Sequence, residues 1–375
     1  MEDITLILLA AGDSTRFNLP TKKQWLYIED KPLWLFVAKS FLEIYDFKEV
    51  VVVGNSAEIK IMQDFADFKF VEGSKKTRAD SLLNALNETD SDFVMVSDVA
   101  RCCIDRDVIN RLLSKYRKDV CVAPALKVSD TTYFNHKPIE REKLLRIQTP
   151  QISDARVLKE ILSKDISYSD ESSAFFYNNK EVIFVEGSPK MEKLTYKDDL
   201  KTFSCLKKPI DNFKSAFGID IHPFEDGKEM FLGGVKIDYD KGFKAHSDGD
   251  VLIHSLIDAL LGASGTGDIG ELFPDSDEKY KNIDSKLLLK EVVKLIKGIG
   301  YEIVNIDISI LAQAPKINPY KQKIKQSLSE ILNIGKNQIN IKATTAEKLG
   351  FVGREEGVVV YSIATLNYFK WGKGI

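Results

Sequence analysis

The chain opens on an apolar run, Ile4–Leu9, and short β-branched runs recur at residues 50–53, 93–96 and 120–123. Between them, over residues 33–45 and 79–86, apolar positions repeat with the helical period. Strand–helix–strand alternation at this spacing predicts a mostly parallel sheet covered by helices on both faces. Residues 126–147 break the rhythm: predominantly polar, with Asn135-His136-Lys137-Pro138 at their centre, they predict a protruding hairpin arm. Alternation resumes with a helix near residues 155–162, a strand at 182–185 and a helix near 197–206.

A charged, proline-containing segment around residue 210 then interrupts the pattern, so two domains are expected, residues 1–209 and 211–375. The second begins with a strand at 216–221 and a hairpin around 231–237. A helix at 251–261, a Gly/Asp-rich loop, a helix at 285–297, a strand at 303–312, the helix Lys321–Leu332 and two further strands complete it. Both halves read as α/β, the second smaller.

Composition narrows the function. With 44% apolar and 29% charged residues, 375 residues suit a globular chain of two cores. A net charge of −3 argues against a dedicated nucleic-acid binder. The first apolar run is too short to span a bilayer and follows acids rather than basic residues, so neither a membrane segment nor a secretory leader is expected. Cys102, Cys103, Cys121 and Cys205 form no Cys-x-x-Cys pair. The expectation is reduced, buried thiols in the cytoplasm, with Cys102 and Cys103 as packing residues.

Two segments carry chemistry. After the first strand, the small residues Ala10, Ala11 and Gly12 let backbone N–H groups approach a phosphate. Arg16 and Lys23 add two cations to the same loop, as attack on the α-phosphorus of a triphosphate requires. The segment lacks the Gly-Lys-Ser/Thr ending of a P-loop, and Ala-Ala-Gly alone reads more readily as a solvated basic loop beside a Gly turn. In the second half, Asp220 and His222 alternate onto one face of a strand. His254 follows on a helix, with Asp250 and Asp258 about one turn to either side. One carboxylate and two imidazoles leave a fourth tetrahedral position open, the arrangement of a catalytic zinc.

The wider motifs sharpen both readings. Ala10-Ala11-Gly12 with Arg16 and Lys23-Gln24 is followed by Thr77-Arg78-Ala79-Asp80-Ser81, Asp98-Val99-Ala100-Arg101, Gln148-Thr149-Pro150-Gln151, Asp170-Glu171 and Lys193-Leu194-Thr195. Over most of residues 1–207 this pattern resembles the cytidylyltransferases that act on 2-C-methyl-D-erythritol 4-phosphate. The resemblance implies a Rossmann-like nucleotidyltransferase domain in which Arg16 and Lys23 stabilise the transition state and Lys193 contacts phosphates. It implies that Ala11 and Gly12 form the phosphate loop, that Ser81 and the loop before it hold cytosine and ribose, and that Asp98 lies near a Mg²⁺ or Mn²⁺ ion and the ribose. Arg101 and Thr149 join this binding set. Thr131 and Arg141, on the arm, would reach the methylerythritol phosphate of a neighbouring subunit, which implies a dimer. The chain departs from the family pattern at Ser97 and Cys102, where a His and a Pro are usual, and in a longer loop with Ser74 and two lysines before Arg78.

The second half, through FGIDIHPF, KGFKAHSDGDVLIHSLIDALLGA, GDIGELFPDSD and IKATTAEKLGFVGREEGV, resembles 2-C-methyl-D-erythritol 2,4-cyclodiphosphate synthases across residues 216–367. That resemblance implies zinc on Asp220, His222 and His254, and a second divalent ion, Mg²⁺ or Mn²⁺, on Glu347. Thr345 would bond the phosphates, and Ala312, Pro315 and Lys316 would shape a cytosine pocket. His246, Ser247, Asp268, Gly270 and Asp275 would hold the methylerythritol part. Phe351 and Arg354 join the binding set, and Asp258 would support the site or stand on the helix surface rather than ligate. The family assembles as a trimer with sites between subunits; Tyr361 stands where many members have an acid opposite the axial Arg354.

Together these imply a bifunctional enzyme of non-mevalonate isoprenoid precursor synthesis, using CTP in one domain and releasing CMP in the other. A kinase step separates the two reactions, so channelling is not implied. A hexamer would reconcile a dimeric first domain with a trimeric second. Two rival readings stay open at this point: a sugar-phosphate nucleotidyltransferase fused to an unrelated zinc phosphohydrolase, and a nucleotide-sensing or scaffold protein whose N-terminal site has decayed.

Overall fold

The computed structural model describes residues 3–245, 247–274, 276–280 and 283–372. They divide into two compact units, residues 3–208 with Gly372, and Pro209–Trp371.

In the first unit, Ile4–Leu9 lies between Glu49–Gly54 and Phe93–Asp98 and runs parallel to both. Lys69–Glu72 extends the Glu49–Gly54 side, again in parallel. The chain therefore builds outward on one side of its first strand and then crosses to the other. This reversal sets the C-terminal ends of Ile4–Leu9 and Phe93–Asp98 side by side, with Leu9 level with Asp98, at the kind of crevice where open parallel sheets bind ligands. Gln151–Asp154 continues the sheet antiparallel, between Phe93–Asp98 and Val120–Lys127, and Glu181–Glu186 returns parallel to Val120–Lys127.

The apolar runs are unbroken because both faces of these strands are covered. Leu82, Leu86, Leu158 and Ile161, from the helices Arg78–Asn87 and Ala155–Lys164, share one buried cluster with Ile7, Val51 and Val96. Each such side chain contributes roughly 1.5–3 kcal/mol by leaving water. The arm is a hairpin of Thr132–Phe134 and Lys137–Ile139 that leaves Tyr133 and Phe134 exposed.

Two readings of this half are corrected. The expected helix near residues 197–206 is only a 3₁₀ turn, Lys197–Lys201. The Asp199 carboxylate accepts from Thr195 N at 2.7 Å and Tyr196 N at 2.8 Å, local bonds that compete with helix propagation. Cys103 is not merely a packing residue: it forms a disulfide with Cys205, their Cα atoms 5.5 Å apart. A separation of 102 positions hides this pair from any spacing rule. Cys102 and Cys121 are free and buried, and burial pushes the Cys102 thiol up to about 12.

In the second unit, Lys214–Asp226 pairs antiparallel with Gly357–Tyr368, which pairs antiparallel with Tyr301–Leu311; Ile339–Thr344 then lies parallel to Tyr301–Leu311. Along Lys214–Asp226 the faces alternate. Phe217, Ile219 and Ile221 are exposed, while Gly218 and His222 are buried. The buried face packs under the helix Val251–Ser264, and Gly218 permits the approach. A Cβ there would lie 2.1 Å from Ser255 O and 2.7 Å from Ala259 N. Gly218→Ala is therefore expected to destabilise this unit by about 1–3 kcal/mol in urea unfolding, because helix and strand must separate.

Candidate active sites

The first site is a cavity of about 340 Å³ at the crevice described above, lined by Ala11, Gly12, Arg16, Lys23, Ser81, Asp98 and Lys193 among others. Lys23 donates to Leu194 O at 3.2 Å, which ties the loop after the first strand to the segment carrying Lys193. Burial first, then the nearby Lys193 and Arg16, lower the pKa of its ammonium. Clustered cations with too few local anions are poised for a polyanionic ligand.

Asp98 ends its strand at the cavity floor. Burial alone would raise its carboxyl, but Arg78 Nε at 2.9 Å and the Lys193 ammonium reverse this and hold it below the usual carboxylate range. Arg78 also bonds the fully buried Glu171 through Nη1 at 2.7 Å. Arg78 and Glu171 stood in the sequence motifs without an assigned role; only the fold brings them to Asp98. The longer loop before Arg78 closes on its own serine. Ser74 N donates to Ser81 Oγ at 2.9 Å, Lys76 N donates to Ser74 Oγ at 3.0 Å, and Lys75 and Lys76 line the cavity.

A second cavity shares Arg78, Asp98 and Lys193 with the first and is lined further by Arg101 and Thr149. Arg101 also braces its wall, donating through Nη1 to Met191 O at 2.6 Å. Gln148 does the same, through Nε2 to Ser188 O at 3.0 Å.

In the second unit Asp220, His222 and His254 each offer an atom within 4.8 Å of the others. Asp220 Oδ2 lies 3.0 Å from His222 Nδ1 and 3.2 Å from His254 Nδ1. Yet Asp220 Oδ2 and His222 Nδ1, both buried, satisfy no hydrogen bond. Buried polar atoms normally find a partner, and a carboxylate with two imidazoles aimed at one point suits a metal ion. The opposite nitrogen of His254 is held: Nε2 lies 2.9 Å from Ser285 Oγ and 3.2 Å from Ser247 Oγ, and Ser285 Oγ donates to Asp248. Such outer contacts fix ring orientation. Ser285 escaped sequence reasoning because it lies on another helix, Ser285–Gly298.

Ser247 and Gly270 line the cavity beside these three residues. Asp258 stays out of the triad and accepts from Ile269 N at 2.9 Å, anchoring the short helix Ile269–Leu272 that Asp268 caps.

Known proteins divide at the same place. The family model described as 2-C-methyl-D-erythritol 4-phosphate cytidylyltransferase (IspD) matches residues 4–206, and that of the YgbB family matches residues 213–367. A bifunctional enzyme IspD/IspF of Aliarcobacter butzleri is 51% identical over 374 residues, covering 100% of both chains. The chain belongs to the bifunctional IspD/IspF family. One from a Sulfurovum species is 51% identical over 99% of each chain. The structure of the bifunctional IspDF from Campylobacter jejuni superposes with a TM-score of 0.92 at 45% identity, covering 99% of this chain and all of that one. The protein is thus a cytidylyltransferase and a cyclodiphosphate synthase of isoprenoid precursor synthesis in one chain.

Within one IspD/IspF chain, not every expected residue meets its site. Thr131 and Arg141 line neither first-unit cavity; Arg141 is on the arm, donating to Ser129 O at 2.8 Å. In the IspF-type unit, Ala312, Pro315, Lys316, Thr345, Glu347, Phe351 and Arg354 are absent from the lining of the histidine cavity. Part of this set gathers elsewhere. Leu311 pairs with Thr344, so the loops after both strands run together. Ala312 N donates to Thr344 O at 3.0 Å, and Thr345 Oγ1 donates to Glu347. Arg354 is paired with Glu356 at 2.8 Å. His246 and Asp275 lie outside the described residues. No helix among the described residues is long and apolar enough to cross a membrane.

Proposed function

We propose that the first unit transfers CMP from CTP to 2-C-methyl-D-erythritol 4-phosphate. A phosphate oxygen of the acceptor attacks the α-phosphorus of CTP, the bond to the β-phosphate oxygen breaks, and pyrophosphate leaves. Arg16, Lys23 and Lys193 offset the charge that builds on the phosphoryl and leaving oxygens. Asp98, kept anionic by Arg78 and Lys193, would hold a Mg²⁺ or Mn²⁺ ion and the ribose. The observation that carries this reading is the meeting of Lys23 and Lys193, distant in sequence, over Asp98 at one cavity.

The second unit closes 4-CDP-2-C-methyl-D-erythritol 2-phosphate to the 2,4-cyclodiphosphate. The 2-phosphate oxygen attacks the β-phosphorus, and CMP departs with the electrons of the cleaved bond. Asp220, His222 and His254 would hold zinc, Glu347 would hold a second divalent ion, and Thr345 would hydrogen-bond the phosphates. When bound, zinc supplies a Lewis acid that orients and neutralises two phosphates which otherwise repel. Bringing nucleophile and electrophile together in one bound molecule supplies much of the rate.

The two residue sets of the second unit fit a site completed by a neighbouring copy, in line with the trimeric contacts that the family resemblance implies. The arm residues Thr131 and Arg141 fit a dimeric contact in the first unit, and a hexamer accommodates both. CTP as co-substrate supports a cytoplasmic location. The expected assay result is pyrophosphate release from CTP with methylerythritol phosphate and none with hexose phosphates. Release with hexose phosphates alone would replace this substrate assignment.

A further inference from the structure

Beneath the phosphate loop lies a carboxylate that the mechanism leaves unused. Glu58, on the helix Ser56–Gln63, is 3% exposed. Three donors converge on it, all from the loop. The Lys22 ammonium bonds Oε1, while Gln24 Nε2 at 3.2 Å and Trp25 Nε1 at 2.7 Å bond Oε2. Gln24 carries the restraint onward. Its Nε2 also donates to Gly12 O at 3.1 Å, and its Oε1 accepts from Ser14 Oγ at 3.3 Å. Ser14 Oγ in turn accepts from the Lys23 backbone N–H at 3.0 Å. Both sequence neighbours of Lys23 and the turn at Gly12 are thus tied to one buried carboxylate.

The charge pattern fits the same role. Lys22 and Glu58 are absent from the cavity lining, whereas Arg16, Lys23 and Gln24 are part of it. By engaging Lys22, Glu58 turns that cation away and leaves Arg16 and Lys23 as the loop's cations toward the phosphates. Hydrogen bonds to an ionised acceptor in a low-dielectric setting are strong and directional, so the loop geometry is set before the nucleotide arrives.

We propose that Glu58 is a positioning residue for nucleotidyl transfer, acting through Lys22, Gln24 and Trp25 to fix where Lys23 stands. The inference rests on the assignment of Lys23 to the phosphates. In the full chain, Glu58→Gln keeps the size and one acceptor oxygen but loses the charge. Its kcat for pyrophosphate release should fall by about 10- to 100-fold, the effect of a displacement near 1 Å, with KM for CTP moving by less than about threefold. CMP release by the second unit of the same molecules should stay at the parent rate, which separates mispositioning from general unfolding. In a Lys23→Arg background the same substitution should cost less than about threefold, because residues acting as one unit are not additive. Trp25→Phe, which removes a single donor, should lower kcat in the same direction and serves if Glu58→Gln does not fold.

Parent kcat in Glu58→Gln, or in Trp25→Phe where Glu58→Gln does not fold, overturns the proposal, as does an equal loss in the two Lys23 backgrounds. An active Lys23→Ala chain would instead overturn the assignment of Lys23. An inactive Lys23→Ala chain beside a fully active Glu58→Gln chain would remove only the role of Glu58.

Discussion

Replacing Lys23 by alanine should lower methylerythritol-phosphate-dependent pyrophosphate release by about 10²–10³-fold or more, the usual effect of removing a preorganised charge from a transition state. The argument is electrostatic. Lys23 lies close to Lys193 and Arg16, and burial and both neighbours disfavour its charged form. That arrangement is unfavourable until negative charge enters, and most favourable when charge is greatest, as the α-phosphorus takes on a fifth oxygen. Asp98 supplies only partial compensation, since it is already engaged by Arg78. The loss should therefore fall mainly on kcat. The second unit provides the control: CMP release from the cyclase substrate should match the parent chain. Turnover within about threefold of the parent would show that the cluster serves another purpose.

Much of this arrangement was legible in the chain. The strand at Ile4–Leu9 and the alternation along Lys214–Asp226 follow from local periodicity, which sequence displays directly. The clustering of Asp220, His222 and His254 was legible for the same reason: strand alternation and a single helix position suffice to align the three. What escaped depends on long-range contacts. Glu58 and Ser285 carry no local signal, and Glu171 stood in a motif without a role, since each acquires its partner from a segment far away in sequence. The Cys103–Cys205 bond belongs to the same class. The 3₁₀ turn at Lys197–Lys201 was misread because the periodicity of apolar residues does not register a carboxylate, Asp199, that captures backbone donors. The separation of Glu347 from the histidine cavity of its own chain was implied only by the resemblance, which places sites between subunits; motif order alone does not say which residues share a cavity.

That separation yields the second large effect. His222→Ala removes one of three candidate ligands and leaves Asp220 and His254 to hold a metal alone. Zinc per chain, measured by metal analysis after dialysis, should fall by at least about tenfold, and cyclisation should vanish while pyrophosphate release by the first unit continues. Zinc content equal to the parent would remove His222 from the ligand set. Glu347→Ala should also abolish cyclisation but retain zinc, because Glu347 does not line the histidine cavity of its own chain. The two inactive chains can then be dissociated and reassembled together. If each site draws its histidines from one copy and Glu347 from the next, roughly a quarter of the interfaces in a random mixture combine two intact halves, and cyclase activity returns to about that level. If one chain supplies both halves, every site retains a defect and mixing restores nothing. The recovered fraction thus reads out whether the two clusters meet across a subunit boundary, independently of which metal each one holds.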